Sequence, residues 1–286
     1  MNIQSKLFRF FVLLITVSML GFTACKESEE TEPEEDTQAA FDTSKDVETA
    51  EAQFFDAYNT ALDGLDGELD GSRSGRVESC AIITNDEVAR VLTIDFGTGC
   101  VGEDGRNRSG KIMIGYRDGD RSTRDELTIT FENYTVNDYG VNGTLGTNGF
   151  SKNSSDQWQY NLTLENGILT FPDRSMQLSF EKLYTWTEGT GNLDAGDDVF
   201  TITGNSSGTT ADGIAFTSTI TTPLTKKSIC WTSQIIYPVS GILTIEFTGN
   251  STGRAVPSVT LDYGNGDCDK EATITAGNRT EVITLP

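Results

Sequence analysis

The chain has 286 residues, of which 43 are acidic and 21 are basic, and its formal net charge is −22 at pH 7. A charge of this sign repels nucleic acids, so we expect no nucleic-acid partner. The chain contains no histidine, which excludes a serine–histidine–aspartate centre, histidine acid–base catalysis and histidine metal ligands.

Residues 1–24 have the pattern of a signal peptide that is cleaved before Cys25. Lys6 and Arg9 precede an apolar run over residues 10–20, and an alanine stands directly before the cysteine. The apolar run is shorter than the roughly 20 residues that cross a bilayer as a helix. The cleavage site resembles the lipobox of bacterial lipoproteins, with phenylalanine in the usual place of leucine. This resemblance implies acyl chains such as palmitate on Cys25 and a membrane partner reached through that lipid anchor.

Residues 25–43 are predicted to form an acidic, flexible tether. The stretch 26–36 has no apolar residue and many glutamates, so it cannot form a core and repels itself into an extended chain. An acidic run just after the lipidated cysteine resembles the surface-export signal of Bacteroidetes lipoproteins, which implies an outer-membrane protein exposed at the cell surface. The alternative is a solvated spacer.

Residues 44–72 are predicted to form an amphipathic helix and a linker. Apolar residues recur at helical spacing from 46 to about 65, with Ser44 and Asp46 as capping candidates, and a glycine-rich turn segment follows.

The linker also begins like a calcium-binding loop. Asp66, Glu68 and Asp70 occupy the first three ligand positions, but Val77 stands where the bidentate glutamate belongs. We therefore favour a solvated linker and expect no cofactor, with Ca²⁺ as the alternative.

Residues 73–286 are predicted to form a single antiparallel β domain, because apolar and polar residues alternate with period two in about a dozen short strands. The expected fold class is all-β: an antiparallel meander that forms a sandwich, a barrel or a large curved sheet, with one short N-terminal helix. Glycine-containing turns are expected at three sites: Asn142-Gly143, Asp212-Gly213 and Asn265-Gly266.

A duplicated unit inside this domain contains the remaining four cysteines. The run from Leu92 to Cys100 matches the run from Val259 to Cys268, and Cys80 and Cys230 precede the two copies. Outside the cytoplasm, four cysteines suggest two disulfides with three possible connectivities. The repeat favours Cys80 with Cys100 and Cys230 with Cys268.

The cysteine-containing turns resemble those of a family of uncharacterised Bacteroidetes lipoproteins. The resemblance rests on Asp-Phe-Gly-x-Gly-Cys at residues 95–100 and Asp-Tyr-Gly-Asn-Gly-Asp-Cys at residues 262–268, together with Ser-Gly-Lys-Ile at 109–112 and Thr-Phe-Glu-Asn-Tyr at 130–134. It implies the location and the fold class, and it implies no catalytic residue.

Two short motifs suggest enzyme chemistry and are interpreted instead as turns. Residues 97–102 fit the dinucleotide pattern G-x-G-x-x-G, but a strand follows where a helix is needed. Residues 204–208 fit the G-x-S-x-G elbow of serine hydrolases, but the chain has no histidine to act as base.

Three tryptophans, Trp158, Trp186 and Trp231, are the ligand-binding candidates. They would form a sugar-stacking platform if they shared an exposed face, whereas aromatic residues at strand spacing more often fill a core.

We therefore expect a non-enzymatic binding or structural module of the cell envelope, with a glycan or an envelope protein as partner. The first alternative is a glycan-binding protein or a carboxylate-based glycosidase. The second is a carrier of apolar ligands.

Overall fold

The computed structural model describes residues 36–69, 80–117, 125–190, 195–233, 235–251 and 253–285. These residues belong to a compact unit that spans Pro33–Pro286. The predictions for the signal peptide, for Cys25, for the tether up to residue 35 and for Asp70 lie outside the described residues.

The described residues form one helix, α1, and strands β1 to β16. Their bounds are α1 Thr37–Leu69, β1 Ile82–Asp86, β2 Val91–Asp95, β3 Cys100–Val101, β4 Asn107–Gly115, β5 Thr128–Val136, β6 Tyr139–Lys152, β7 Trp158–Thr170, β8 Ser175–Glu188, β9 Val199–Thr209, β10 Ala215–Lys227, β11 Ser240–Thr248, β12 Asn250–Ser251, β13 Arg254–Ala255, β14 Val259–Asn265, β15 Glu271–Ala276 and β16 Arg279–Thr284. Short 3-10 turns lie at Ala195–Asp197 and Ser228–Ser233.

The strands build one large antiparallel sheet in which neighbours along the chain are neighbours in space. The order runs from β1 to β16 without a crossover; β3 pairs with β4 beside this path, and β12 and β13 form a separate hairpin. The all-β prediction is confirmed, and of the three architectures left open by the sequence, the structure has the large open sheet. The predicted alternation is also confirmed: in β14, Val259, Leu261 and Tyr263 are buried while the residues between them are exposed.

The sheet curves around α1. The helix side chains of Asp56, Glu51 and Glu48 contact β4, β8 and β14, respectively. These strands span most of the sheet, so the sheet must bend to bring all of them to one helix. The helix therefore fills the interior: among the described residues, most of its apolar side chains and eight of its polar ones are buried.

The helix is longer than its apolar pattern indicated. Its cap is Asp36, whose Oδ1 accepts a hydrogen bond of 3.0 Å from the Ala39 amide. Ser44, one of the predicted caps, lies inside the helix, where its hydroxyl donates to the Ala40 carbonyl at 2.7 Å. Residues 37–43, which were expected in the tether, are thus helical, as are residues 66–69, which were expected in the turn.

Two of the predicted turns are parts of strands. Asn142 and Gly143 lie inside β6 at a shift of register against β7, which is a β-bulge. Residues 204–208 lie inside β9. By contrast, Gly97 and the pair Asp212-Gly213 lie in turns, as predicted. A glycine beside asparagine or serine fits a bulge or strand interior as well as a turn, so local sequence does not separate these cases.

Both disulfides join the pairs that the repeat favours. Cys80 pairs with Cys100, with their Cα atoms 5.5 Å apart, and Cys230 pairs with Cys268 at 5.2 Å. The second bond ties the 3-10 turn after β10 to the turn after β14. Among the described residues, no helix is both long and apolar enough to span a bilayer.

Candidate functional site

Polar side chains of α1 meet the inner face of the sheet in two buried charged clusters. The Arg108 cluster contains Asp56, Asp104, Arg106 and Arg108. The Glu48 cluster contains Glu48, Glu51, Lys182, Lys226 and Tyr263. Each is built by side chains of α1 and by strand residues whose alternation turns them inward; in the Arg108 cluster, Asp104 and Arg106 are added from the turn before β4.

In the Arg108 cluster, one helix carboxylate binds two guanidinium groups. Arg108 Nη2 lies 2.9 Å from Asp56 Oδ2 and 2.7 Å from Asp104 Oδ2, and Arg106 Nη1 lies 2.9 Å from Asp56 Oδ1. Burial acts to raise the pKa of Asp104, but the hydrogen bond and the charge of Arg108 hold that pKa below its ordinary value. Arg108 is completely buried. The cluster therefore connects α1 to the start of β4 through buried ion pairs.

In the Glu48 cluster, two acids of α1 meet two lysines of the sheet. Glu51 pairs with Lys182 and accepts a hydrogen bond of 2.6 Å from the Ser206 hydroxyl. Glu48 accepts a hydrogen bond from the Tyr263 hydroxyl. Ser206 is the serine of the G-x-S-x-G motif. It lies inside β9, and its partner is a carboxylate of α1 rather than the base of a nucleophile elbow.

Burial shifts the acid–base equilibria of the Glu48 cluster in opposite directions. It raises the pKa of Glu48 to about 7, and the nearby charge of Glu51 adds to the rise. It lowers the pKa of Lys226 well below its ordinary value, with Lys182 adding to the fall. The Lys226 ammonium nitrogen lies 3.2 Å from the centroid of the Phe55 ring, an arrangement that favours its charged form.

The cavity inside the Glu48 cluster is small. Its volume is about 30 Å³, and the buried segment of residues 235–239 forms one wall. This volume holds one or two water molecules. It is far below the roughly 300 Å³ of the smallest ordinary ligand pockets, so these two acids do not form a site for a sugar ring.

A larger groove lies where the loops at one end of the sheet reach α1. Its volume is about 580 Å³, and we call it the Gln53 groove. Its polar lining residues are Gln53, Arg106, Asn107, Asn137, Asp138 and Lys270. They come from the helix, from the start of β4, from the turn between β5 and β6, and from the turn between β14 and β15.

The predicted tryptophan platform is packed against the sheet rather than gathered at this groove. Trp158 stacks on Phe150 with ring centroids 4.7 Å apart, and Trp186 stacks on Phe200 at 5.7 Å. Both tryptophans are half-buried on neighbouring strands, and neither lines the Gln53 groove. The side chain of Trp231 lies outside the described residues.

Two of the three proposed calcium ligands lie in the helix α1. Asp66 and Glu68 lie in the last turns of α1, where the backbone cannot form the irregular loop that such a site requires. Within the described ranges, no three histidine, cysteine, aspartate or glutamate residues are placed to hold a metal ion.

Comparison of the chain with protein-family models, with curated proteins and with solved structures returns no match. Its function has to be argued from its own residues.

Proposed function

We propose that this chain is a lipid-anchored protein of the bacterial cell envelope, held at the outer membrane through Cys25 and exposed at the cell surface, and that its β domain is a non-enzymatic binding module. The signal-peptide pattern and the acidic tether support the anchor and the location. The two disulfides support a compartment outside the cytoplasm, because such bonds persist in oxidising surroundings.

The Gln53 groove is the observation that carries the binding role. At about 580 Å³ it falls within the range of small-molecule sites. Its walls come from five separate parts of the chain, and the helix behind it is fixed by the Arg108 cluster. A concave site on a rigid scaffold is what a binding module requires.

The two alternatives to a binding module have less support. A carboxylate-based glycosidase needs two acids beside a sugar-sized space, and Glu48 and Glu51 border only the cavity of about 30 Å³. A carrier of apolar ligands needs a roomy apolar interior, and α1 occupies the space inside the curved sheet.

The anchor is tested by labelling cells that express the full chain with radioactive palmitate and then separating membranes from soluble protein. We expect label on the unchanged chain and on the control Ser28→Ala, and membrane recovery of both. Cys25→Ser should be unlabelled and should move to the soluble fraction. An unlabelled parent chain, or membrane recovery of Cys25→Ser equal to the parent, would contradict the proposal.

A further inference from the structure

We infer that the Gln53 groove binds a hydroxyl-rich ligand of the saccharide class. This inference rests on the proposed binding role, and it names the site and the chemistry of the ligand.

Gln53 supplies the first observation. Gln53 lies in the middle of α1, lines the groove and is only 7% exposed. Its Oε1 accepts no hydrogen bond from any of the described residues. A buried amide oxygen is expected to have a donor. Oε1 is enclosed in the free protein, and a ligand hydroxyl can supply the donor once the amide turns toward the groove that Gln53 lines.

The rim of the groove supplies further donors and acceptors around this oxygen. Asn107 and Asn137 carry amides, and Asp138 carries a carboxylate, at the exposed ends of two strands. Arg106 and Lys270 line the same groove. Planar amide, carboxylate and guanidinium groups match the donor and acceptor pairs that neighbouring hydroxyls present.

An aromatic ring stands among these polar groups. Tyr139 lines the groove and is half-buried, with its ring held edge-on against Phe171 at a centroid distance of 5.6 Å. A fixed ring beside hydrogen-bonding groups offers an apolar surface to the carbon face of a sugar while its neighbours bind the hydroxyls.

The groove is held in its shape before any ligand arrives. The Arg106 guanidinium is fixed by Asp56 at 2.9 Å. The backbone N–H of Asn107 donates to Asn137 Oδ1 at 3.1 Å, which joins two walls of the groove. Lys270 lies two residues after Cys268, whose disulfide to Cys230 anchors that turn. Preorganised groups lose little conformational freedom on binding, so less of the interaction energy is spent on ordering them. This favours the binding of a polar ligand.

The test uses the full chain in detergent micelles, with binding measured against an array of neutral and uronic-acid-containing oligosaccharides and affinities then measured by calorimetry. We expect at least one oligosaccharide to bind. Gln53→Met keeps the size of the side chain and removes the amide, so it should weaken binding tenfold or more without lowering the thermal midpoint. Asp138→Ala, at an exposed turn, should also weaken binding. The control Asp212→Ala, at an exposed turn outside the groove, should bind like the parent.

An array with no bound oligosaccharide overturns the inference, as does unchanged affinity in both Gln53→Met and Asp138→Ala. The palmitate experiment separates this failure from failure of the anchor: an empty array with intact labelling removes the saccharide site and leaves the anchor standing.

Discussion

Asp56 of α1 and Arg108 of β4 form an ion pair inside the sheet, with Oδ2 and Nη2 2.9 Å apart and side chains that are 2% and 0% exposed. Removing one partner leaves the other charge buried without full compensation, which costs about 3–5 kcal/mol. We therefore expect Asp56→Ala to lower the free energy of unfolding by this amount in urea titrations.

A matched pair near the surface serves as the control for this prediction. Arg174 pairs with Asp46 of the same helix at 2.8 Å, but it is 40% exposed. We expect Arg174→Met to cost about 1 kcal/mol or less. If Asp56→Ala and Arg174→Met lower the free energy of unfolding equally, burial does not determine how much the Arg108 cluster contributes to stability.

The second prediction concerns pH. The pKa of Glu48 is about 7 in the folded protein and 4.5 for an ordinary glutamate, so the folded state holds this proton more tightly than the unfolded state does. The stability that this provides is present below pH 4.5 and is lost as pH rises toward 7. Glu48→Gln cannot lose a proton, so it should exceed the parent in unfolding free energy at pH 8, by up to about 3 kcal/mol.

The difference between Glu48→Gln and the parent should shrink as the pH falls to 5. Lys226 titrates in both proteins, but the charge of Glu48 raises its pKa, so comparing them at each pH removes only part of its contribution. Glu181→Gln, on an exposed part of β8, is the control and should follow the parent. A pH-independent difference for Glu48→Gln would contradict the role assigned to burial.

The third prediction concerns the contact of the helix with β2. A Cβ atom at Gly64 would lie 2.3 Å from Ile94 Cδ1. Alanine in a helix is ordinarily favoured over glycine by about 1 kcal/mol, but here we expect Gly64→Ala to destabilise the protein by about 1–3 kcal/mol because the contact is overpacked.

Rescue by a second substitution tests this explanation. Ile94→Val removes the Cδ1 atom, so the double variant should be more stable than Gly64→Ala alone, as measured by chemical denaturation. If Ile94→Val instead adds its usual cost of about 0.5–1.5 kcal/mol to that of Gly64→Ala, the clash is not the cause.

The fourth prediction concerns the disulfide between Cys230 and Cys268, which are 38 residues apart. By the chain-entropy argument, replacing both cysteines with serine should cost about 3–4 kcal/mol. Amide exchange should rise most in residues 235–239, the segment after Cys230 that covers the Glu48 cluster. The double serine variant of Cys80 and Cys100 should leave exchange in that segment unchanged. The prediction is wrong if both variants affect the segment equally.

The fold class could be predicted because alternation of apolar and polar residues follows directly from the two faces of an antiparallel strand. The choice among sandwich, barrel and open sheet could not, because it depends on what fills the space inside the sheet. Here that is α1, whose polar residues, Glu48 and Asp56 among them, suggested a helix with one exposed face. They are buried because Tyr263 of β14, Arg108 of β4 and Arg106, just before β4, reach them from parts of the chain that are far apart in sequence.

The candidate site was missed for a related reason. Gln53 is one of several polar residues in a helix, and Asn137 and Asp138 are ordinary turn residues, so neither pattern marks a groove. The tryptophans were the predicted ligand-binding residues because aromatic rings can stack on sugars. The stacking partners of two of them are instead Phe150 and Phe200 on neighbouring strands. The disulfide pairing could be predicted because each duplicated unit contains its own two cysteines.

The enclosed helix also sets an order of events during folding. Gln38, near the start of α1, accepts a hydrogen bond of 3.1 Å from Arg279 of β16, 241 residues later in the chain. Synthesis makes the helix first, and this partner is made 241 residues later. Contacts of such separation slow folding, so the contact between α1 and β16 forms only after the strands between them have been made.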